Sequence, residues 1–140
     1  MTDANLLMML AGVFAFGALV FVLISVAKYR VVLLDKEKFQ AEFLRLENGL
    51  DRLDSNTYRL SVIDADKLLD EALKEMHVKG ETLGERLKMA RGKFSNINAV
   101  WAAHRLRNQI VHERGTKVTY DQAKRALAAF RRALQDLGAI

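Results

Sequence analysis

Apolar residues follow two different patterns along this chain. Leu6 to Ala27 reads LLMMLAGVFAFGALVFVLISVA, 22 residues without a charge. Beyond it, apolar positions recur every three or four residues among charged ones. At 1.5 Å per residue the first run makes about 33 Å of helix, close to the hydrocarbon thickness of a bilayer. Backbone groups in lipid must bond to one another, so the run is helical there. A cleaved signal peptide fits poorly, because no basic residue precedes the run and the run is too long. The pattern predicts one transmembrane helix at about 6–27 within an N-terminal segment 1–34.

Five further helices follow from the three-four spacing. Phe39, Phe43, Leu46, Leu50 and Leu53 step 4, 3, 4, 3, which predicts a helix over 36–53 that either continues the membrane helix or starts afresh with Asp35 as N-cap. This amphipathic helix fills a juxtamembrane segment, 35–54. Its seam either packs on the domain or pairs with a second chain, and two heptads are too few for a coiled coil. Asp54-Ser55-Asn56 marks a break. Tyr58, Val62, Ala65, Leu69, Ala72 and Met76 form the stripe of a second helix, 57–78, ended by Gly80. Thr82 with Glu85 reads as a capping box for a short third helix to Arg91. Ser95 or Asn96 opens a fourth helix to Glu113, stopped by Gly115. Thr119 with Gln122 is a second capping box, and Tyr120, Ala123, Leu127, Phe130, Leu134 and Leu137 form the stripe of the fifth helix. No period-2 run of strand length occurs. The expected fold is all-α: a single transmembrane helix followed by a four- to five-helix bundle occupying 55–140.

The fourth helix departs from ordinary amphipathicity. One face carries Ala99, Ala103, Leu106 and Ile110; the other carries Ile97, Trp101, His104, Asn108, Val111 and His112. No acid occurs from Asn96 to His112. A helix apolar on both sides is buried on both sides. Either it lies mid-bundle, or its second face meets another subunit across a two-fold axis that supplies partners for Arg, Asn and His.

Charge changes the picture in one respect. All 22 Lys and Arg lie at or after Lys28, with all but one of the 17 acids; only Asp3 precedes the span. Lys28, Arg30, Lys36 and Lys38 follow it, so the positive-inside rule places the N-terminus outside and the C-terminal domain in the cytoplasm of a single-pass cell-membrane protein. Tyr29 stands where an interfacial aromatic is expected. The basic excess favours anionic partners, phospholipid or nucleic acid. The absence of Cys excludes disulfides, Cys-ligated zinc and thiol catalysis. No metal or cofactor motif is present, and none is expected.

The string Trp101-Ala-Ala-His104-Arg105-Leu106-Arg107-Asn108-Gln109-Ile110-Val111-His112-Glu113 resembles the signature of the HEPN domains of prokaryotes: an Arg, a polar residue, then a His near the end of an inner helix. The resemblance spans about 57–137. It implies a bundle that dimerises through the motif helix. Many members are metal-independent RNA endonucleases; others are binding or scaffold modules.

The residue types suit that chemistry. RNA supplies its own nucleophile, the 2′-OH, and an imidazole such as that of His112 can take or return the proton. Arg107 can stabilise charge building on the phosphate, and Asn108 can orient His112. Five residues turn a helix by about 500°, leaving Arg107 and His112 about 140° apart. A composite site across a homodimer axis is therefore expected, with His104 and Trp101 as cleft-lining residues and RNA as substrate. The plainer reading is structural: His112 serves the last carbonyls of its helix, and Arg107 pairs with Asp64, Asp66 or Asp70. That reading makes the chain a membrane-anchored dimeric scaffold for an unidentified protein partner.

Overall fold

The computed structural model describes residues 2–28 and 33–140, which divide into two compact units, Met1–Leu33 and Leu34–Ile140. Tyr29 and Arg30, expected to flank the span, lie outside the described residues. The first unit is one helix, α1 (Asp3–Lys28). It is long and apolar enough to cross a membrane, and no part of its span is buried against protein.

The second unit holds α2 (Lys36–Asn48), α3 (Ser55–Glu75), α4 (Leu83–Met89), one 3-10 turn (Arg91–Lys93), α5 (Ile97–His112) and α6 (Tyr120–Asp136). The all-α architecture expected from the periodicity is the one observed. α3 lies at the centre, packed against α2, α5 and α6. Its stripe of Val62, Ala65, Leu69, Ala72 and Leu73 is completely buried. Phe39 and Phe43 of α2 and Phe130 and Leu134 of α6 close on it. Burial of each such side chain contributes about 1.5–3 kcal/mol, so these few residues supply much of the driving force. The seam of α2 is thus spent inside this unit, and α2 belongs to the same compact body as the bundle.

Local chemistry sets the helix ends. Asp35, Asp54, Thr82, Asn96 and Thr119 each accept a hydrogen bond from a backbone N–H of the first turn. The Thr119–Gln122 capping box is complete. The Thr82–Glu85 box is half made, because Glu85 reaches back to the N–H of Glu81 at 2.6 Å instead of that of Thr82.

Several expected boundaries move: α3 opens at Ser55 instead of Thr57, α4 closes at Met89 instead of Arg91, and two further ends shift for a visible reason. α2 stops at Asn48, five residues short of Leu53, because the following backbone is held by side chains: Asp51 accepts from Leu53 N at 2.9 Å and Thr57 Oγ1 accepts from Asp51 N at 3.1 Å. Leu50 is only partly buried and Leu53 is 95% exposed, so Leu53 is not a core residue. α3 stops at Glu75, before the expected Val78. The N–H of His77 donates to Lys74 O at 2.9 Å and that of Val78 to Leu73 O at 3.0 Å, the paired bonds of a Schellman closure. α6 ends in the same way at Gly138 (φ 72°), but α3 uses His77 at φ 57°.

The ends of α5 and α6 are tied together. Ser95, just before α5, donates its N–H (2.8 Å) and hydroxyl (2.7 Å) to Asp136 Oδ2 at the end of α6, and Arg132 lies 3.4 Å from Oδ1. Burial opposes ionisation of Asp136, but the two Ser95 donors and Arg132 outweigh it and hold its carboxyl below the ordinary 3.8.

Two predictions follow from these ends. His77→Gly removes a left-handed strain and is expected to raise unfolding free energy by about 0.5–1 kcal/mol in urea titration. Because the folded pKa of Asp136 is depressed, its contribution is complete above about pH 4 and drains away as pH falls through the folded value. Asp136→Asn should therefore be less stable than the wild type at pH 6, with the gap narrowing as pH falls below about 4; a gap independent of pH would contradict the assignment.

Candidate functional site

An acid inside the apolar stripe of α3 organises the rest. Asp66 stands between Val62 and Leu69 on the buried side and is 3% exposed. A buried carboxylate must be paired and hydrogen-bonded. α3 and α5 run antiparallel, since Arg59 near the start of α3 reaches Ile110 near the end of α5 while Asp66, two turns on, reaches His104. Asp66 Oδ1 lies 2.7 Å from His104 Nδ1, and Oδ2 lies 3.3 Å from Arg107 Nε. Arg107 Nη1 donates to Asn108 Oδ1 at 3.0 Å, and Asn108 Nδ2 lies 3.3 Å from His104 Nε2.

These four side chains form a closed circuit whose donors and acceptors can be assigned. Arg107 only donates, so the carbonyl oxygen of Asn108 faces it and the amide nitrogen faces His104. Nε2 of His104 therefore accepts, Nδ1 carries the hydrogen, and Nδ1–H donates to Asp66. One group is left over. Arg107 Nε is buried near Asp66 but out of line for a hydrogen bond, the one such orphaned side-chain atom among the described residues.

This circuit sets the rotation of α5. The expected core face was Ala99, Ala103, Leu106 and Ile110. The buried residues are Val100, Ala103, His104 and Ile110, while Ala99 and Leu106 are half-buried. The helix is turned toward Asp66, between α3 and α6. Trp101 is half-buried behind His104, with the ring centroids 5.8 Å apart and edge to face. α4 lies over both rings: a Cβ on Gly84 would stand 3.5 Å from Trp101 and 3.8 Å from His104 Nε2. The second face of α5 is thus met, at Trp101 and His104, by elements of its own chain.

Beside the circuit is an open groove of about 540 Å³. His104, Arg107, Asn108 and His112 all line it, so the motif residues share one surface on a single chain. Trp101 does not line it. His112 is exposed as the last residue of α5, and the Arg107 side chain keeps 32% of its surface. The groove's acids are engaged: Asp66 as described, and Asp70 by Arg86 (3.1 Å) and Lys74 (2.7 Å). Lys67, exposed on α3, adds a cation to the same wall. A half-exposed guanidinium, an exposed imidazole and a lysine around one groove suit a phosphate-bearing ligand.

The motif residues were legible in the sequence, and Asp66 only as one of three acids, with Asp64 and Asp70, offered as partners for Arg107. Lys67, Gly84 and Arg59 were not, because nothing local marks which face of α3 or α4 meets α5.

Removing one partner from a buried pair strands the other. Asp66→Ala is expected to cost about 3 kcal/mol or more of unfolding free energy, and Lys38→Ala in the exposed Lys38–Glu75 pair far less. Equal losses by denaturant titration would mean that Asp66 is no anchor. Compared with known proteins, the chain matches no family model, no curated protein and no solved structure.

Proposed function

We propose that this chain is a membrane-anchored, HEPN-like RNA endonuclease that needs no metal. α1 crosses the cell membrane with the N-terminus outside, and the basic helical unit works on RNA at the cytoplasmic face. The observation that carries the proposal is the placement of Arg107 and His112 on one groove, the first locked by Asp66 and Asn108 and the second exposed. The anchor is supported by the uncharged run 6–27 of α1, whose large side chains are bare, Phe14 being 77% exposed, with basic residues following it.

In the proposed reaction the RNA lies along the groove with the scissile phosphate on Arg107 and the neighbouring phosphate near Lys67. His112 takes the proton of the 2′-OH. The 2′-oxygen attacks phosphorus, the bond to the 5′-oxygen breaks, that oxygen takes a proton from water, and His112 returns its own proton to solvent. The products are a 2′,3′-cyclic phosphate and a 5′-hydroxyl. Arg107 meets the charge that develops on the phosphoryl oxygens. A second copy related by a two-fold axis across the groove would add a second Arg107 and His112, the composite site that the HEPN resemblance implies.

One observation favours a different reading. Asn108, the residue suited to orient His112, is engaged by Arg107 and His104 instead. A groove without an oriented base would bind RNA or a protein partner and cut nothing.

The full chain in detergent micelles separates the two. With single-stranded RNA and excess chelator, the wild type is expected to yield cyclic-phosphate ends. His112→Ala and Arg107→Ala should each slow cleavage by at least about a hundredfold. RNA bound but left intact by the wild type would select the binding reading. Cleavage surviving both substitutions would dismiss this site, and a monomer by light scattering would dismiss its composite form.

A further inference from the structure

We infer that Arg59 and Thr116 are positioning residues for His112: together they fix where α5 ends and hold its last turn against α3, keeping the imidazole on the groove. What His112 does there rests on the nuclease reading; how it is held rests on the geometry below.

The last carbonyls of a helix have no donor within it. At the end of α5 two distant side chains supply donors. Arg59, half-buried in the second turn of α3, donates from Nη2 to Ile110 O at 3.1 Å and from Nη1 to Thr116 O at 2.8 Å. Thr116 Oγ1 lies 3.1 Å from both Gln109 O and Glu113 O. The N–H of Glu113 also donates to Gln109 O at 2.9 Å. These bonds bracket His112 from Gln109 to Thr116.

A guanidinium fits this task because its fork reaches two carbonyls at once and its charge faces the negative end of the helix dipole. The clamp also reaches across the fold, joining α3 to the chain on both sides of the α5 terminus. Within it the backbone leaves the helix at Glu113 (φ −102°, ψ 118°), so His112 is the last helical residue. A helix running further would crowd the His112 ring with another turn of side chains. Ending there frees the imidazole to turn toward the groove that Arg107 lines, while α3 limits how far it strays.

The clamp differs in kind from the Asp66 circuit. Asp66 fixes the rotation of α5 and the guanidinium of Arg107; Arg59 and Thr116 fix the terminus and therefore His112. Damage to the clamp should leave RNA binding near its wild-type level and reduce turnover, whereas damage to Arg107 should weaken both.

The test uses the full chain in detergent micelles, with Arg59→Ala, its conservative partner Arg59→Lys, and Thr116→Val, which removes the hydroxyl at nearly constant volume. In Arg59→Ala and Thr116→Val the Glu113 amide is expected to exchange with solvent about tenfold faster, as loss of a few local hydrogen bonds allows. Turnover of single-stranded RNA should fall about tenfold through lost positioning. Binding of an uncleavable 2′-O-methyl RNA should stay within about twofold, since the phosphate contacts that dominate it are kept. Arg59→Lys should recover part of the turnover. Unchanged Glu113 exchange in both variants overturns the clamp, and faster exchange with wild-type turnover overturns its role in positioning. If the wild type cuts no RNA, the nuclease reading fails separately and the His112 ring resonances decide the clamp: they move to the positions of an unstructured histidine in both variants if it holds, and stay in place if it does not.

Discussion

The carboxylate of Asp66 is the constraint from which the functional half of this fold is built. Taking a carboxylate out of water costs several kcal/mol even after relaxation, and an apolar stripe between Val62 and Leu69 offers nothing in return. Compensation has to come from another helix, and among the described residues α5 brings an imidazole and a guanidinium to that depth. The pairing admits one rotation of α5, because a turn either way separates His104 or Arg107 from the acid. With the rotation fixed, Trp101 goes under α4, Ile110 goes into the core, and the C-terminal half of α5 faces the groove.

The circuit also decides how much of Arg107 is left for a ligand. Asp66 takes the Nε edge and Asn108 takes Nη1, while nearly a third of the side chain stays open to the groove. A guanidinium held on two sides loses little freedom when it meets a phosphate, so more of the new interaction remains as binding. Proximity to Asp66 also tempers its charge. This is a compromise between order and field strength, and the nearby Lys67 offsets part of the loss. His112 is held differently, through its backbone, with its ring left in solvent. The two groups thus answer to separate supports from the same helix, α3: Asp66 for one and Arg59 for the other.

Features encoded by neighbouring residues were legible in the sequence. The uncharged run of α1 gives its own length, the three-four stripes of α3 and α6 give their buried faces, and each N-cap lies within three residues of the group it satisfies. Features set by distant partners were not. The shift of the α5 core face comes from a contact across 38 residues, which hydropathy scores as two polar residues to be kept in water. The fork of Arg59 reaches carbonyls 51 and 57 residues away. The early end of α2 is an intermediate case: Asp54-Ser55-Asn56 was visible as a break, but Asp51 falls inside the expected helix and Leu53 continues the heptad, suggesting more helix than forms. At the site, the absence of acid from α5 did carry usable information. It implied that Arg107 takes its partner from elsewhere, and among Asp64, Asp66 and Asp70 only Asp66 lies in the middle of the buried stripe.

That absence of acid also serves the groove. A carboxylate on α5 itself would sit within a turn of Arg107, exposed or nearly so, and would compete with any phosphate for the same donors. Supplying the acid from α3, below the surface, neutralises the inner side of the guanidinium and leaves no negative group of α5 facing outward. The helix C-terminus carries partial negative charge of its own, and Arg59 covers it from behind while His112 stands at its edge. The polarity of the groove is therefore produced in layers, with acids buried or ion-paired and cations at the rim. Sorting of this kind fits a surface meant to receive an anion.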